Sequence, residues 1–256
     1  MLYRKLFIVS ICFFLSIAVF GQQPQIQFSS IDLSNGLSHN QVNSIFKDAK
    51  GFIWFGTLSG LNRYDGYQFK VFKHDPRDTT SISDDNILNI FELPDHKLYL
   101  ETMSGPNVYD PEKQIFIRNA KAYLNGLGIA ATLISDILKD TEGNFWFNAG
   151  PEGIFKYDIK SSVSIHLKPG AGEARSSITR TAVSSLQKDE KGNVWVIHRD
   201  KTIERLDKHT GKVNKRITAL QLKKASDFQN FKLFVDYDGD FWIYTLNNQQ
   251  GIDFYA

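Results

Sequence analysis

One short motif recurs along the chain and restricts the possible folds more than any other feature of the sequence. Complete copies of Asp-x-x-Gly-x-x-Trp end at Trp54, Trp146, Trp195 and Trp242. A degenerate copy lies between the first two, with Tyr99 at the tryptophan position. Successive copies are therefore 45, 47, 49 and 47 residues apart. A period in the high forties without a helical pattern is typical of one four-stranded sheet per repeat, which is a propeller blade.

The residues around the first copy predict the four strands of such a blade. Residues 42–48 carry apolar side chains mainly at every second or third position, as in a half-buried strand. Asp48 to Gly51 predicts a turn, after which residues 52–57 form a nearly all-apolar returning strand. Residues 61–64 and 67–72 predict the third and fourth strands. A sheet with two apolar faces is stable only when other sheets stack on it.

We therefore predict an all-β fold, a β-propeller of four-stranded blades with five repeats. The repeats cover about residues 33–75, 81–118, 129–166, 178–215 and 226–256. The repeated aromatic residues are predicted to form the structural core; they are Trp54, Tyr99, Trp146, Trp195 and Trp242. The fifth repeat lacks a fourth strand, and residues 25–29 alternate like a strand that could supply it. This leaves two alternatives, a closed five-bladed ring or part of a larger ring.

The N-terminal segment is typical of a secretory signal peptide. Arg4 and Lys5 precede an uncharged apolar run over residues 6–20, and Gly21 is a small residue at its exit. The alternative, an uncleaved membrane anchor, is less favoured because the run is shorter than the roughly 20 residues that span a bilayer. Cleavage after Gly21 predicts a signal peptide over residues 1–21, a propeller domain over residues 22–256 and a periplasmic location. Membrane contact is expected only through this segment or a downstream span absent from the sequence.

The motif and its surroundings resemble a known family of repeats. Asp-x-x-Gly-x-x-Trp followed by Gly-Leu-x-Arg-Tyr-Asp resembles the two-component regulator propeller repeat, and residues 36–57 look like the start of a Bacteroides-type hybrid two-component sensor. The resemblance implies an incomplete seven-bladed ring rather than a closed five-bladed one. It also implies a periplasmic sensor of an oligosaccharide, active as a homodimer, that controls polysaccharide use through a histidine kinase not contained in this chain. The alternative is a structural or protein-binding propeller, or a truncated remnant of a sensor.

Several other classes of function are not expected. A net charge of +2 provides no basic surface for nucleic acid. The six histidines are scattered without metal-ligand spacing, and no glycine-rich phosphate loop or nucleophile elbow is present, so we predict no metal, no cofactor and no catalytic residue. Asp236, Asp238 and Asp240 could hold calcium, but they coincide with the repeated turn, which is the favoured interpretation.

Candidate ligand-binding residues follow from the topology of a blade. The loop that enters the first strand and the loop between the second and third strands open on one face, here called the entry face. The Asp-x-x-Gly turns lie on the opposite face. The candidate residues on the entry face are His39, Asn40, Gln41, Ser59, Asp85, Asn86, Ser104, Arg180, His198 and Arg199, with Thr132, Glu152, Asn230 and Asn247 as further polar residues of that face.

Overall fold

The computed structural model describes residues 28–168, 178–179, 182–222, 229–245 and 252–255. In these ranges the chain forms five antiparallel sheets, each joined in simple up-and-down order, and they make a five-bladed propeller arrangement. The prediction of an all-β propeller with four-stranded blades is thus confirmed. Residues 1–21, for which a signal peptide is predicted, lie outside the described residues. No helix among the described residues is long and apolar enough to cross a membrane.

Each of the first four sheets has four strands, and the fifth has three among the described residues. Blade one contains β1 Val42–Lys47, β2 Ile53–Thr57, β3 Gly60–Tyr64 and β4 Phe69–Phe72. Blade two contains β5 Ile87–Glu92, β6 Leu98–Thr102, β7 Gly105–Asp110 and β8 Ile115–Ile117. Blade three contains β9 Asp136–Lys139, β10 Phe145–Asn148, β11 Ile154–Asp158 and β12 Val163–Leu167. Blade four contains β13 Val183–Lys188, β14 Val194–His198, β15 Ile203–Leu206 and β16 Val213–Ile217, and blade five contains β17 Phe231–Val235, β18 Phe241–Thr245 and β19 Ile252–Tyr255.

The repeated motif is a hydrogen-bonded unit that joins a turn to the second strand. One carboxylate oxygen of Asp48 accepts from the backbone N–H groups of Lys50 and Phe52, and the other accepts from Nε1 of Trp54 at 2.8 Å. The same aspartate–tryptophan bond measures 2.8–2.9 Å in blades three, four and five. In blade two Leu93 and Tyr99 occupy the two positions. Blade two therefore lacks both the aspartate and the tryptophan of the motif, so neither side chain is present there without its hydrogen-bond partner.

A third member of this unit lies on the neighbouring strand. In blades one, three and four a cation stands opposite the tryptophan in the register of the third strand and lies 5.4–5.9 Å from the ring centroid. The pairs are Arg63 with Trp54, Lys156 with Trp146 and Arg205 with Trp195. Such contacts stabilise a cation that is partly removed from water. In blade two the position is held by Val108, so blade two lacks all three members.

A second aspartate of the repeat caps the turn between the third and fourth strands. Asp65, Asp158 and Asp207 each accept two backbone N–H bonds within the turn. These bonds favour the ionised form and lower the pKa of each carboxyl from its ordinary value of 3.8. The turns thus depend on ionised aspartate.

This dependence predicts acid lability of the fold. A carboxyl whose pKa is lower in the folded than in the unfolded chain contributes stability above 3.8 that is lost as the pH falls through the folded value. We expect the melting temperature to decrease as the pH falls from about 5 to about 2, as measured by circular dichroism. Asp158→Asn should reduce that decrease. An unchanged pH dependence in this variant would contradict the conclusion that the turn at Asp158 depends on the ionised carboxylate.

One helix departs from the all-β prediction. Helix α1 spans Ala120–Gly126 between blades two and three, and the side chain of Asn119 caps it by accepting from the backbone N–H of Ala122 at 3.1 Å. Ala120 and Leu124 are buried in the apolar cluster shared by blades two and three. The helix therefore fills a space that blade-on-blade packing alone leaves open.

The repeated aromatic residues pack between consecutive blades. Trp54 contacts Tyr109 of blade two with ring centroids 5.4 Å apart, and Trp195 contacts Phe241 of blade five at 4.8 Å. Trp54, Tyr99, Trp146 and Trp195 are at most 5% exposed. Trp242 differs from the predicted core position because it is 38% exposed, and no described blade covers its face.

The described residues give no closing strand for blade five. Phe28 and Ser29 lie in irregular structure, and the Phe28 side chain is 92% exposed. Residues 25–27, the rest of the candidate strand, lie outside the described residues. The Trp242 side of blade five exposes a row of aromatic rings formed by Phe234, Trp242 and Phe254, here called the blade-five row.

Candidate functional site

A polar cavity of about 790 Å³ opens on the entry face. It is lined by loops that enter first strands, by the loop between β10 and β11, and by side chains of the strands themselves. Its polar lining residues are Asn89, Glu101, Thr132, Ser135, Glu152, Ser184, Arg199, Gln229, Asn230, Lys232 and Thr245. The volume lies within the range of small-molecule sites. Four of the five blades therefore contribute to one concave site.

Blade three supplies the most structured loop of the cavity. The loop after β10 forms a 3-10 helix over Gly150–Glu152. The carboxylate of Glu152 accepts from the backbone N–H of Thr132 at 3.1 Å, and Nε2 of His166 lies 2.7 Å from its backbone oxygen. These contacts join the two entry-face loops of blade three and fix the position of the Glu152 carboxylate.

Blade two contributes an amide and a carboxylate from paired strands. Asn89 on β5 and Glu101 on β6 are register partners, and the side-chain amide of Asn89 donates to the Glu101 carboxylate at 2.7 Å. Each carboxylate of the cavity, Glu101 and Glu152, thus already accepts one hydrogen bond from the protein.

Blades four and five contribute two cations. The backbone of Arg199 donates to the carbonyl of Ala182 and accepts from the N–H of Gln229, which places it between the entry loops of β13 and β17. Its side chain is exposed, whereas Lys232 on β17 is half-buried. Among the described residues, no carboxylate lies within 4 Å of either cationic group.

The position of Lys232 belongs to a series that repeats along the first strands. Ser44 accepts from the backbone N–H of Ile90 in the next blade, and Ser185 accepts from that of Leu233, both at 3.2 Å. Asp136 likewise accepts from Leu186 at 3.1 Å. An ammonium group has no acceptor and cannot make this bond. Lys232 therefore departs from the repeated contact between blades.

Asp136 lies beside this series of contacts. Burial raises the pKa of its carboxyl, while the positive charge of Lys232 and the backbone N–H of Leu186 oppose that rise. The charge of Lys232 thus acts on the pKa of Asp136, although the two side chains form no close ion pair.

The predicted residues of blades one and two lie away from the cavity and make local contacts. Nδ1 of His39 accepts from the Gln41 backbone, and Asn40 accepts from Leu33. The remaining contacts are Ser59 with Lys73, Asp85 with the His74 backbone, Asn86 with Asn43 and Ser104 with Asp84. These side chains tie loops together and are not brought to the cavity.

His198 is buried rather than presented on the entry face. Its side chain is completely buried, and its Nε2 lies 2.8 Å from Oε2 of Glu204, which is also completely buried. Nε of Arg216 donates to the other Glu204 oxygen at 2.6 Å, and Thr179 lies 3.4 Å from Nδ1 of His198. The prediction that His198 is a surface contact for a ligand does not fit this geometry. The other predicted residue of this blade, Arg180, lies outside the described residues.

The buried His198–Glu204 pair occupies the place that a smaller polar cluster has in blades one and two. In blade one the hydroxyls of Ser38 and Thr57 lie 2.9 Å apart, and Asn62 donates to Ser38. Ser83, Thr102 and Asn107 repeat this arrangement 45 residues later in blade two. His198 stands at the Thr57 position, three residues after the tryptophan. This register explains why its ring points inward.

Sequence reasoning identified part of the cavity and missed the rest. Thr132, Glu152, Arg199 and Asn230 were expected on the entry face and line the cavity. Asn247 lies outside the described residues. The missed residues project from strands rather than loops; they include Asn89, Glu101, Ser184 and Lys232. The repeated register of the first strands is the signal that could have found Asn89 and Lys232.

No metal site is apparent in the part of the chain that the structure describes, where no group of three or more His, Cys, Asp or Glu side chains is placed to hold an ion. In the acidic turn of blade five, Asp236 accepts from the backbone N–H groups of Asp238, Gly239 and Asp240. This is the turn that the repeat predicts. Bonds from Trp242 and the turn backbone lower the pKa of Asp236.

Comparison with known proteins supports the repeat assignment. Residues 36–59 match the family described as two component regulator propeller. The resemblance drawn from the first repeat is thereby confirmed for that segment. Histidine kinase P4 of Formosa agariphila is 41% identical over 70 residues, a match that covers 27% of this chain and 5% of that protein.

Two of the similar solved structures are an extracellular domain and a bacterial surface component, and both are much longer than this chain. The extracellular domain of a protein named as a hybrid two component system from B. thetaiotaomicron has a TM-score of 0.53 and 23% identity, covering 90% of this chain and 33% of that one. PorZ, a surface component of the type-IX secretion system of Porphyromonas gingivalis, has a TM-score of 0.51 and 16% identity, covering 90% and 34%. At these identities the likeness is one of fold. The chain spans about a third of each of these structures.

Proposed function

We propose that this chain is the sensor propeller region of an extracytoplasmic two-component signalling protein, and that the entry-face cavity binds an oligosaccharide. The observation that carries the proposal is a concave site of about 790 Å³ lined by hydroxyl, amide and carboxylate groups from four blades. The family match at residues 36–59 and the similarity to a histidine kinase support the signalling part.

The chemistry of the lining suits a sugar. Thr132 and Asn230 can both donate and accept hydrogen bonds, whereas Ser184 can accept, since its hydroxyl already donates to the Phe231 carbonyl at 2.8 Å. The carboxylates of Glu101 and Glu152 can accept from sugar hydroxyls. Anchored carboxylates make strong charge-assisted bonds without losing side-chain freedom on binding. A polyhydroxylated ligand of a few sugar units would satisfy these groups together.

The position of the cavity also suits signalling. A ligand there would contact blades two to five at the same time, so that binding would favour one relative arrangement of the blades. In this proposal a homodimer transmits that arrangement to a histidine kinase outside the given sequence.

A thermal-shift experiment tests the proposal. The purified chain is melted with and without a panel of defined oligosaccharides, and we expect one of them to raise the melting temperature. A ligand at about 100 times its Kd would add about 2.7 kcal/mol to the free energy of unfolding. Thr132→Trp, which places a large side chain in the cavity, should abolish the shift.

The matched control is Thr79→Trp, at an exposed threonine that does not line the cavity. It should retain the shift. The proposal fails if no oligosaccharide stabilises the chain, or if Thr132→Trp leaves the stabilisation unchanged.

A protein-binding propeller is the second candidate. The observation in its favour is the exposed blade-five row, Phe234, Trp242 and Phe254, which are 38–51% exposed. Stabilisation by an oligosaccharide that Thr132→Trp abolishes would favour the sensor, because Thr132 lines the cavity and is not part of the row.

A further inference from the structure

We infer that the ligand of the entry-face cavity carries an anionic group, a carboxylate or a sulfate ester, that binds to Arg199 and Lys232. The inference rests on the proposed function and specifies it, since the ligand class becomes an acidic oligosaccharide.

The charges of the cavity are divided between its two sides. Glu101 and Glu152 belong to blades two and three, and each accepts a hydrogen bond from the protein. Arg199 and Lys232 belong to blades four and five. The lining is therefore balanced in charge, with both carboxylates on one side of the cavity and both cations on the other.

Lys232 stands apart from the other lysines that are shielded from water. In the described ranges, every other buried or half-buried lysine donates to a protein oxygen; these are Lys97, Lys156, Lys188, Lys201 and Lys208. Lys232 is half-buried and makes no hydrogen bond or close ion pair with a described residue, although its charge acts on the buried carboxyl of Asp136. A partly buried cation without a hydrogen-bond acceptor loses hydration and has no direct contact to replace it. An anion in the cavity would supply the missing partner.

Arg199 provides the geometry for recognising such an anion. Its guanidinium is fixed in planar shape and can bond a carboxylate or sulfate through two parallel N–H groups. Its backbone is held between the entry loops of β13 and β17 by bonds to Ala182 and Gln229. The attachment point is thus rigid, while the side chain remains exposed and available.

The remaining lining groups suit the hydroxyls of a saccharide. Each carboxylate accepts only one hydrogen bond from the lining residues described above, so its other acceptor sites can bind sugar hydroxyls. Hydroxyls and amides line both sides of the cavity, with Thr132 and Ser135 on blade three and Asn230 on blade five. They match the hydroxyls of a sugar whose charged substituent points to blades four and five.

Isothermal titration of the full chain with matched oligosaccharides tests the inference. The probes are a galacturonic acid tetrasaccharide, its uncharged methyl ester and a sulfated galactose oligosaccharide of the same length. We expect at least one acidic probe to bind about tenfold more tightly than the methyl ester, with a preference that weakens as salt is added. The two acidic arms distinguish a carboxylate from a sulfate.

Two variants, each with a control, test whether Arg199 and Lys232 cause the tighter binding of the acidic probe. Arg199→Gln and Lys232→Gln should each weaken binding of the acidic probe about tenfold and leave the methyl ester unaffected. Arg77→Gln and Lys113→Gln, at exposed cations that do not line the cavity, should have no effect. Unchanged melting temperatures establish that the variants are folded.

The outcomes separate the inference from the proposed function. If a neutral oligosaccharide binds as tightly as the acidic probes, the inference of an anionic group is wrong, and the sensor proposal still stands. If a short zwitterionic peptide binds more tightly and displaces the probe, the inference that the ligand is a saccharide is wrong. Absence of binding by every probe overturns both.

Discussion

Trp146→Phe is expected to lower the free energy of unfolding by about 3 kcal/mol. The tryptophan is completely buried between blades three and four, and its Nε1 donates to Asp140, which is 4% exposed. The substitution creates a cavity and removes one of the two donors to a buried carboxylate oxygen, the other being the Asn144 side chain. Urea denaturation followed by far-ultraviolet circular dichroism measures the loss.

Trp242→Phe is the matched control because Trp242 makes the same hydrogen bond, to Asp236, from a much more exposed position. The loss should be several-fold smaller, since water can solvate the exposed carboxylate. Similar losses at both positions would show that the bond matters regardless of packing, contrary to the structure.

Glu204→Gln is expected to cost about 3 kcal/mol, because it removes the negative charge from a completely buried group bonded to His198 and Arg216. The neutral amide can accept only through one atom, so one of the two partners faces an amide N–H. Urea denaturation at neutral pH tests this.

Glu92→Gln serves as the comparison for the buried pair. Glu92 also pairs with a histidine and a basic residue, His96 and Lys139, but both partners are substantially exposed. The loss there should be several-fold smaller, as for other solvent-screened pairs. A Glu204 variant as stable as the Glu92 variant would mean that the cluster is hydrated.

The fold could be predicted well from the sequence because the repeated motif marks the residues that pack between blades. Each Asp-x-x-Gly-x-x-Trp copy marks a hairpin whose tryptophan faces the next blade, so its period defines blade number and order among the described residues. Helix α1 escaped prediction because it occurs once, between repeats. The signals for it were local: Asn119 as a cap, followed by alanine and leucine.

The candidate site was predicted less completely, for a physical reason. Loop residues of the entry face could be identified from topology, and Thr132, Glu152 and Arg199 indeed line the cavity. Which part of the face is concave depends on how the blades are spaced, and no local pattern encodes that spacing. The direction of a side chain also does not follow from loop topology, since His198 occupies an inward register position.

The unequal burial of the tryptophans gives the protein an internal optical reporter. Three of its four indoles are at most 5% exposed, whereas Trp242 is 38% exposed. A soluble quencher such as acrylamide should therefore reduce the emission of one residue selectively. Any blade, second copy or partner that covers the blade-five row would protect that emission. Contacts of this row can thus be monitored in the unmodified chain.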